Sequence, residues 1–129
     1  MREIRIQAIL TICIMAAAQL AYAQEPLRLE PGQSVAREIV GGQTHTYRIS
    51  LTAGQFMRVV LEQQGIDVAL ALAAPDAKQL MEFNFTRSGM ESLSAEAAAS
   101  GDYRLTVRPS GTGSDTGSYR VRLEIKAAA

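Results

Sequence analysis

Ala99-Ser100-Gly101-Asp102-Tyr103-Arg104-Leu105-Thr106-Val107-Arg108 is a glycine-led turn running into a strictly alternating segment. Side chains of a strand alternate with period two. Tyr103, Leu105 and Val107 therefore point one way, and Arg104, Thr106 and Arg108 the other. The phrase returns as Gly117-Ser118-Tyr119-Arg120-Val121-Arg122-Leu123-Glu124-Ile125, and in weaker form as Thr46-Tyr47-Arg48-Ile49-Ser50-Leu51. Three Tyr-Arg-aliphatic strands in one short chain describe a β scaffold, and nothing in them describes a reaction.

Outward from that stretch the same period recurs. Strands are predicted over 35–40, 44–51, 56–63, 68–73, 78–85, 91–97 and 118–126, separated by Pro31-Gly32, Gly41-Gly42, Ala53-Gly54, Gly65, Pro75-Asp76, Gly89 and the glycine- and serine-rich loop 110–117. Tyr47, Ile49, Leu51, Met57, Val59, Leu61, Met81, Phe83, Phe85, Leu93, Ala95 and Ala97 fall on inward faces. The uncharged run Val68-Ala69-Leu70-Ala71-Leu72-Ala73 is short enough for a strand and reads as a central one covered on both faces. About eight short strands and no convincing amphipathic helix predict an all-β, antiparallel, jelly-roll-like β-sandwich.

The 129 residues suffice for one domain. Residues 1–23 read as a cleaved signal peptide: Arg2 and Arg5 supply a basic start, 6–18 is apolar, and Ala21-Tyr22-Ala23 is a small-x-small cleavage pattern. The apolar run is too short for a spanning helix. Residues 24–129 are then a single exported domain, periplasmic or extracellular, without an integral membrane span. Cys13, the only cysteine, lies within the leader behind the bulky Ile12, which does not suit a lipoprotein site. The mature chain has no disulfide, no thiol nucleophile and no thiolate metal site. Its net charge falls within about one unit of neutrality, which gives no support to a nucleic-acid partner.

Several phrases together resemble a known family. Gly65-Ile66-Asp67-Val68-Ala69-Leu70, Ala74-Pro75-Asp76 with Leu80, Ala98-Ala99-Ser100-Gly101-Asp102-Tyr103-Arg104-Leu105-Thr106-Val107 and Gly117-Ser118-Tyr119-Arg120-Val121 look like the bacterial pre-peptidase C-terminal domain over about residues 27–126. The versions at the N-terminus of exported tetratricopeptide-repeat or CHAT-domain proteins are especially similar, through 29–35, 41–47 and 63–67. The resemblance implies a sandwich that is accessory to another activity and has no catalysis of its own. No partner domain follows Lys126-Ala127-Ala128-Ala129, so the expectation is a module acting alone or a remnant of a larger secreted peptidase or repeat protein.

Reactive motifs are few. Asp115-Thr116-Gly117 is the aspartic protease signature, but a Ser-Gly-Thr-Gly-Ser loop precedes it in place of a hydrophobic strand, so it reads as a loop. His45 is the only histidine, has no second ligand of its kind, and reads as an exposed strand residue. Asp67, Asp76, Asp102 and Asp115 all stand at turns and are calcium candidates, though scattered ones. The outward Arg48, Arg104, Arg108, Arg120 and Arg122 are the candidate site. If the last two strands are neighbours, at least four of them share one face and would take an anionic ligand such as a cell-wall or capsule polymer. Glu62, Glu96 and Glu124 are the cross-strand carboxylates that would neutralise that face instead. The functional expectation is a non-enzymatic attachment module for a protein or a cell-envelope polysaccharide. A carbohydrate-binding module is the alternative, weakened by the lack of tryptophan.

Overall fold

The computed structural model describes residues 26–84, 89–111 and 115–127. The leader, Cys13 and Phe85 lie outside them. Nine strands follow one another: β1 (Leu27–Arg28), β2 (Ser34–Val40), β3 (His45–Leu51), β4 (Phe56–Gln64), β5 (Val68–Ala73), β6 (Gln79–Asn84), β7 (Gly89–Glu96), β8 (Gly101–Pro109) and β9 (Thr116–Lys126). They form a five-stranded sheet in the order β1-β3-β8-β5-β6 and a four-stranded sheet in the order β2-β9-β4-β7. Strand β1, in the stretch expected to be a lead-in, is the addition to the eight predicted. It is also the exception to antiparallel pairing, running parallel to β3. Among the described residues no helix is long and apolar enough to cross a membrane.

The alternation seen in sequence becomes the core. Tyr47, Ile49, Val59, Leu61, Val68, Leu70, Leu72, Leu105, Val107, Val121 and Leu123 are at 0 % exposure, between the two sheets. Each such large side chain contributes on the order of 1.5–3 kcal/mol when buried. Tyr103 is buried too, and its hydroxyl donates to the Ala99 carbonyl at 2.8 Å, tying the turn before β8 to its own strand. Gln63, at 1 % exposure, accepts the Val68 amide on Oε1 at 3.0 Å and so anchors the chain between β4 and β5.

Two glycines have reasons the structure makes plain. Gly101 has φ +148°, and a Cβ there would lie 2.8 Å from Pro75 Cγ. Gly117 lies opposite Ile39 in β2, and a Cβ there would lie 2.6 Å from Ile66 Cβ and from the Gln64 carbonyl oxygen. The glycine of Asp115-Thr116-Gly117 is thus a packing residue at the entry to β9, while Asp115 is exposed and its carbonyl accepts the Gly41 amide.

Three local expectations change. Strand β5 lies between β8 and β6, one place from the sheet edge rather than at its centre. No second layer covers its outer face among the described residues. The Arg108–Glu82 ion pair instead links β8 to β6 across the alanine side of β5, where register places Ala69 beside Arg108 and Ala71 beside Glu82. Ala69 is left 1 % exposed. Phe83 has the inward register, opposite Leu70, yet is 44 % exposed because β6 is an edge strand. The last correction matters most for function. β8 and β9 are not neighbours; they lie in different sheets, so the five arginines do not share a face.

Candidate functional site

The sandwich places its polar side chains in two settings, one inside and one out. Inside, Arg37 of β2, His45 and Tyr47 of β3 and Tyr119 of β9 meet between the sheets. His45 Nδ1 lies 2.7 Å from Tyr119 Oη, Tyr119 Oη 2.5 Å from Tyr47 Oη, and Arg37 Nη1 3.5 Å from Tyr47 Oη. The tyrosines are 0 % and 2 % exposed and His45 8 %. Sequence alone assigned His45 to the surface. The structure buries it, because the hydroxyl of Tyr119 supplies the partner a buried imidazole needs.

The donors of this chain can be assigned by counting. A guanidinium only donates, so Arg37 donates to Tyr47. Tyr47 then donates to Tyr119, and Tyr119 to Nδ1 of a neutral imidazole. Reversing the chain strands the Tyr47 proton in a buried place. Burial, followed by the positive charge of Arg37, lowers the His45 pKa. Burial and the hydrogen bond with Tyr47 raise that of Tyr119. Both shifts favour neutral groups. Arg37 was legible in principle: Val35, Arg37 and Ile39 share a parity, so an arginine was pointing inward.

Outside, the five predicted arginines divide. Arg48 and Arg104 lie on the outer face of the five-stranded sheet, directly opposite each other in the β3–β8 register. Arg108 shares that face but is bound to Glu82. Arg120 and Arg122 lie on the outer face of the four-stranded sheet. There Arg122 donates to Glu124 at 2.7 Å, Glu124 also lies 3.6 Å from Arg58, and Arg120 stands opposite Glu62. That second face carries Phe56 and Met90, 45 % and 68 % exposed. The first carries a residue missed in sequence, Arg28, which β1 sets in register beside Arg48.

No group of three or more histidine, cysteine, aspartate or glutamate side chains able to hold a metal occurs among the described residues. Asp76 accepts the Lys78 amide at 3.0 Å and Asp102 accepts the Ser50 hydroxyl at 2.7 Å, so both are engaged locally.

No family model and no curated protein matches the chain. Solved structures do match. The pre-peptidase C-terminal domain of collagenase from Bacillus anthracis aligns at TM-score 0.61 and 16 % identity, over 78 % of this chain and 95 % of that one. PliG, a periplasmic inhibitor of g-type lysozyme, aligns at 0.65 and 16 % identity in the Aeromonas hydrophila protein, over 78 % and 96 %. The Salmonella Typhimurium PliG aligns at 0.60 and 21 % identity, over 79 % and 98 %. With two packed sheets, no helix among the described residues and these neighbours, the chain has the β-sandwich fold of the pre-peptidase C-terminal domain.

Proposed function

We propose that this protein is an exported, non-enzymatic accessory module that works by attachment to a larger partner, a protein or a polymer of the cell envelope. One observation carries the reading. The groups best suited to acid–base work, His45, Tyr47 and Tyr119, are bonded to one another and to Arg37 inside the sandwich, and the remaining charged groups stand on outer sheet faces and in turns. Small-molecule sites are concave and enclose their ligand, whereas flat faces with a few apolar side chains among charges suit contact with a macromolecule. The fold neighbours support the same use: an inhibitor of g-type lysozyme acts on another protein, and the collagenase domain is one part of a larger enzyme. The leader-like residues 1–23 support export.

The test is cosedimentation of the purified protein with isolated bacterial envelopes, run beside a panel of peptide, ester and glycan substrates. The protein is expected to pellet in proportion to added envelope and to turn over none of the substrates. A turnover abolished by His45→Gln, or a complete failure to pellet, would contradict the reading.

A further inference from the structure

The register of the five-stranded sheet assembles an arginine row that the sequence hides. Arg28 in β1 pairs with Arg48 in β3, and Arg48 pairs with Arg104 in β8. Consecutive strands thus carry one guanidinium each, in a line perpendicular to the strands, and all three residues are exposed. Like charges placed opposite each other destabilise a sheet. Natural faces avoid that cost by pairing, as Arg108 does with Glu82 on this same face and Arg122 with Glu124 on the other. Among the described residues neither Arg48 nor Arg104 has a carboxylate within 4.0 Å or a side-chain hydrogen bond. Two acids border the row. Asp102 accepts the Ser50 hydroxyl, Ser50 accepts Arg28 Nη1 at 3.1 Å, and Glu30 lies 3.9 Å from Arg28 Nε.

We propose that this row binds a linear acidic polysaccharide, one carboxylate per sugar, laid across β1, β3 and β8. The proposal rests on the attachment reading and names its ligand. Neighbouring strands are about 4.8 Å apart, so the row spans roughly 10 Å with one cation per strand spacing. Guanidinium groups take carboxylates in bidentate fashion. Thr46 and Thr106 border the row on one side, and their hydroxyls suit the hydroxyls of a sugar; Ser50 and Asp102, bonded to each other, border it on the other.

The experiment uses immobilised polygalacturonate, its carboxyl-reduced neutral form and polyglutamate, with the purified wild-type protein and two double variants. Wild type is expected to bind polygalacturonate at low salt and to release at about 0.5 M salt, where screening shortens to a few ångströms. Arg48→Gln/Arg104→Gln should lose at least about tenfold in affinity, with its melting temperature unchanged or raised because a like-charge pair is gone. Arg120→Gln/Arg122→Gln, on the opposite sheet, should retain binding within about twofold. Equal losses in both double variants, equal retention on the neutral polymer, or tighter binding to polyglutamate would each overturn the proposal. So would a wild-type protein that pellets with envelopes yet ignores polygalacturonate, an outcome that leaves the attachment reading standing.

Discussion

At the scale of single residues the most informative side chain is His45, buried between two sheets with Nδ1 2.7 Å from the Tyr119 hydroxyl. Burial and Arg37 lower its affinity for a proton relative to the unfolded chain. Below the ordinary histidine range the unfolded state therefore binds more protons than the folded one, and stability falls as pH drops. Urea unfolding followed from pH 7.5 downward should show a stability plateau to about pH 6.5 and a decline beneath it. His45→Gln should flatten that decline. Tyr119→Phe removes the central hydroxyl and strands Nδ1 and the Tyr47 proton, which should cost about 1–3 kcal/mol in a thermal melt. The inward direction of Tyr47 and Tyr119 could be read from alternation. Their partners could not, because the four residues come from three strands in two sheets, and their contacts span up to 74 positions of the chain.

Among the elements, the strands themselves were legible and their partners were not. Period-two patterning says which way a side chain faces within its sheet, but it is silent on which sheet the strand joins. The sister phrases of β8 and β9 show the consequence: one pairs with β3 and β5, the other with β2 and β4. The large–small alternation of β5 likewise reported a real constraint through a mechanism invisible in sequence, an ion pair crossing over alanine. The turn before β6 carries a further constraint, since Ala77 has φ +69°, a left-handed backbone that costs an alanine about 1–2 kcal/mol. Ala77→Gly should thus raise stability, by roughly 0.5–1 kcal/mol after the extra flexibility of glycine is charged against it. At the start of β8 the opposite holds. Gly101→Ala should destabilise by more than about 1 kcal/mol, since its Cβ would meet Pro75 in a conformation alanine resists. Equilibrium denaturation of both variants checks the pair.

For the whole molecule, one core joins the two sheets, and the chemistry left over is sorted by location. Arg37, His45, Tyr47 and Tyr119 are bonded to one another inside, while Arg48 and Arg104, which lack a carboxylate partner among the described residues, stand outside. Leu105, at 0 % exposure between the sheets, reports the first half of that division. Leu105→Asp should cost more than about 3 kcal/mol by burying an unpaired charge, seen as a collapse of the melting temperature. The second half, that activity resides on an outer face, is tested most directly by pairing binding with stability in two single variants. Tyr119→Phe and Arg104→Glu are compared with wild type for envelope binding well below the melting point, and for thermal unfolding. The account predicts that Tyr119→Phe melts lower yet binds as wild type does, while Arg104→Glu melts at or above wild type and loses binding. Binding that is lost with Tyr119→Phe and kept with Arg104→Glu would place the activity in the interior and contradict it.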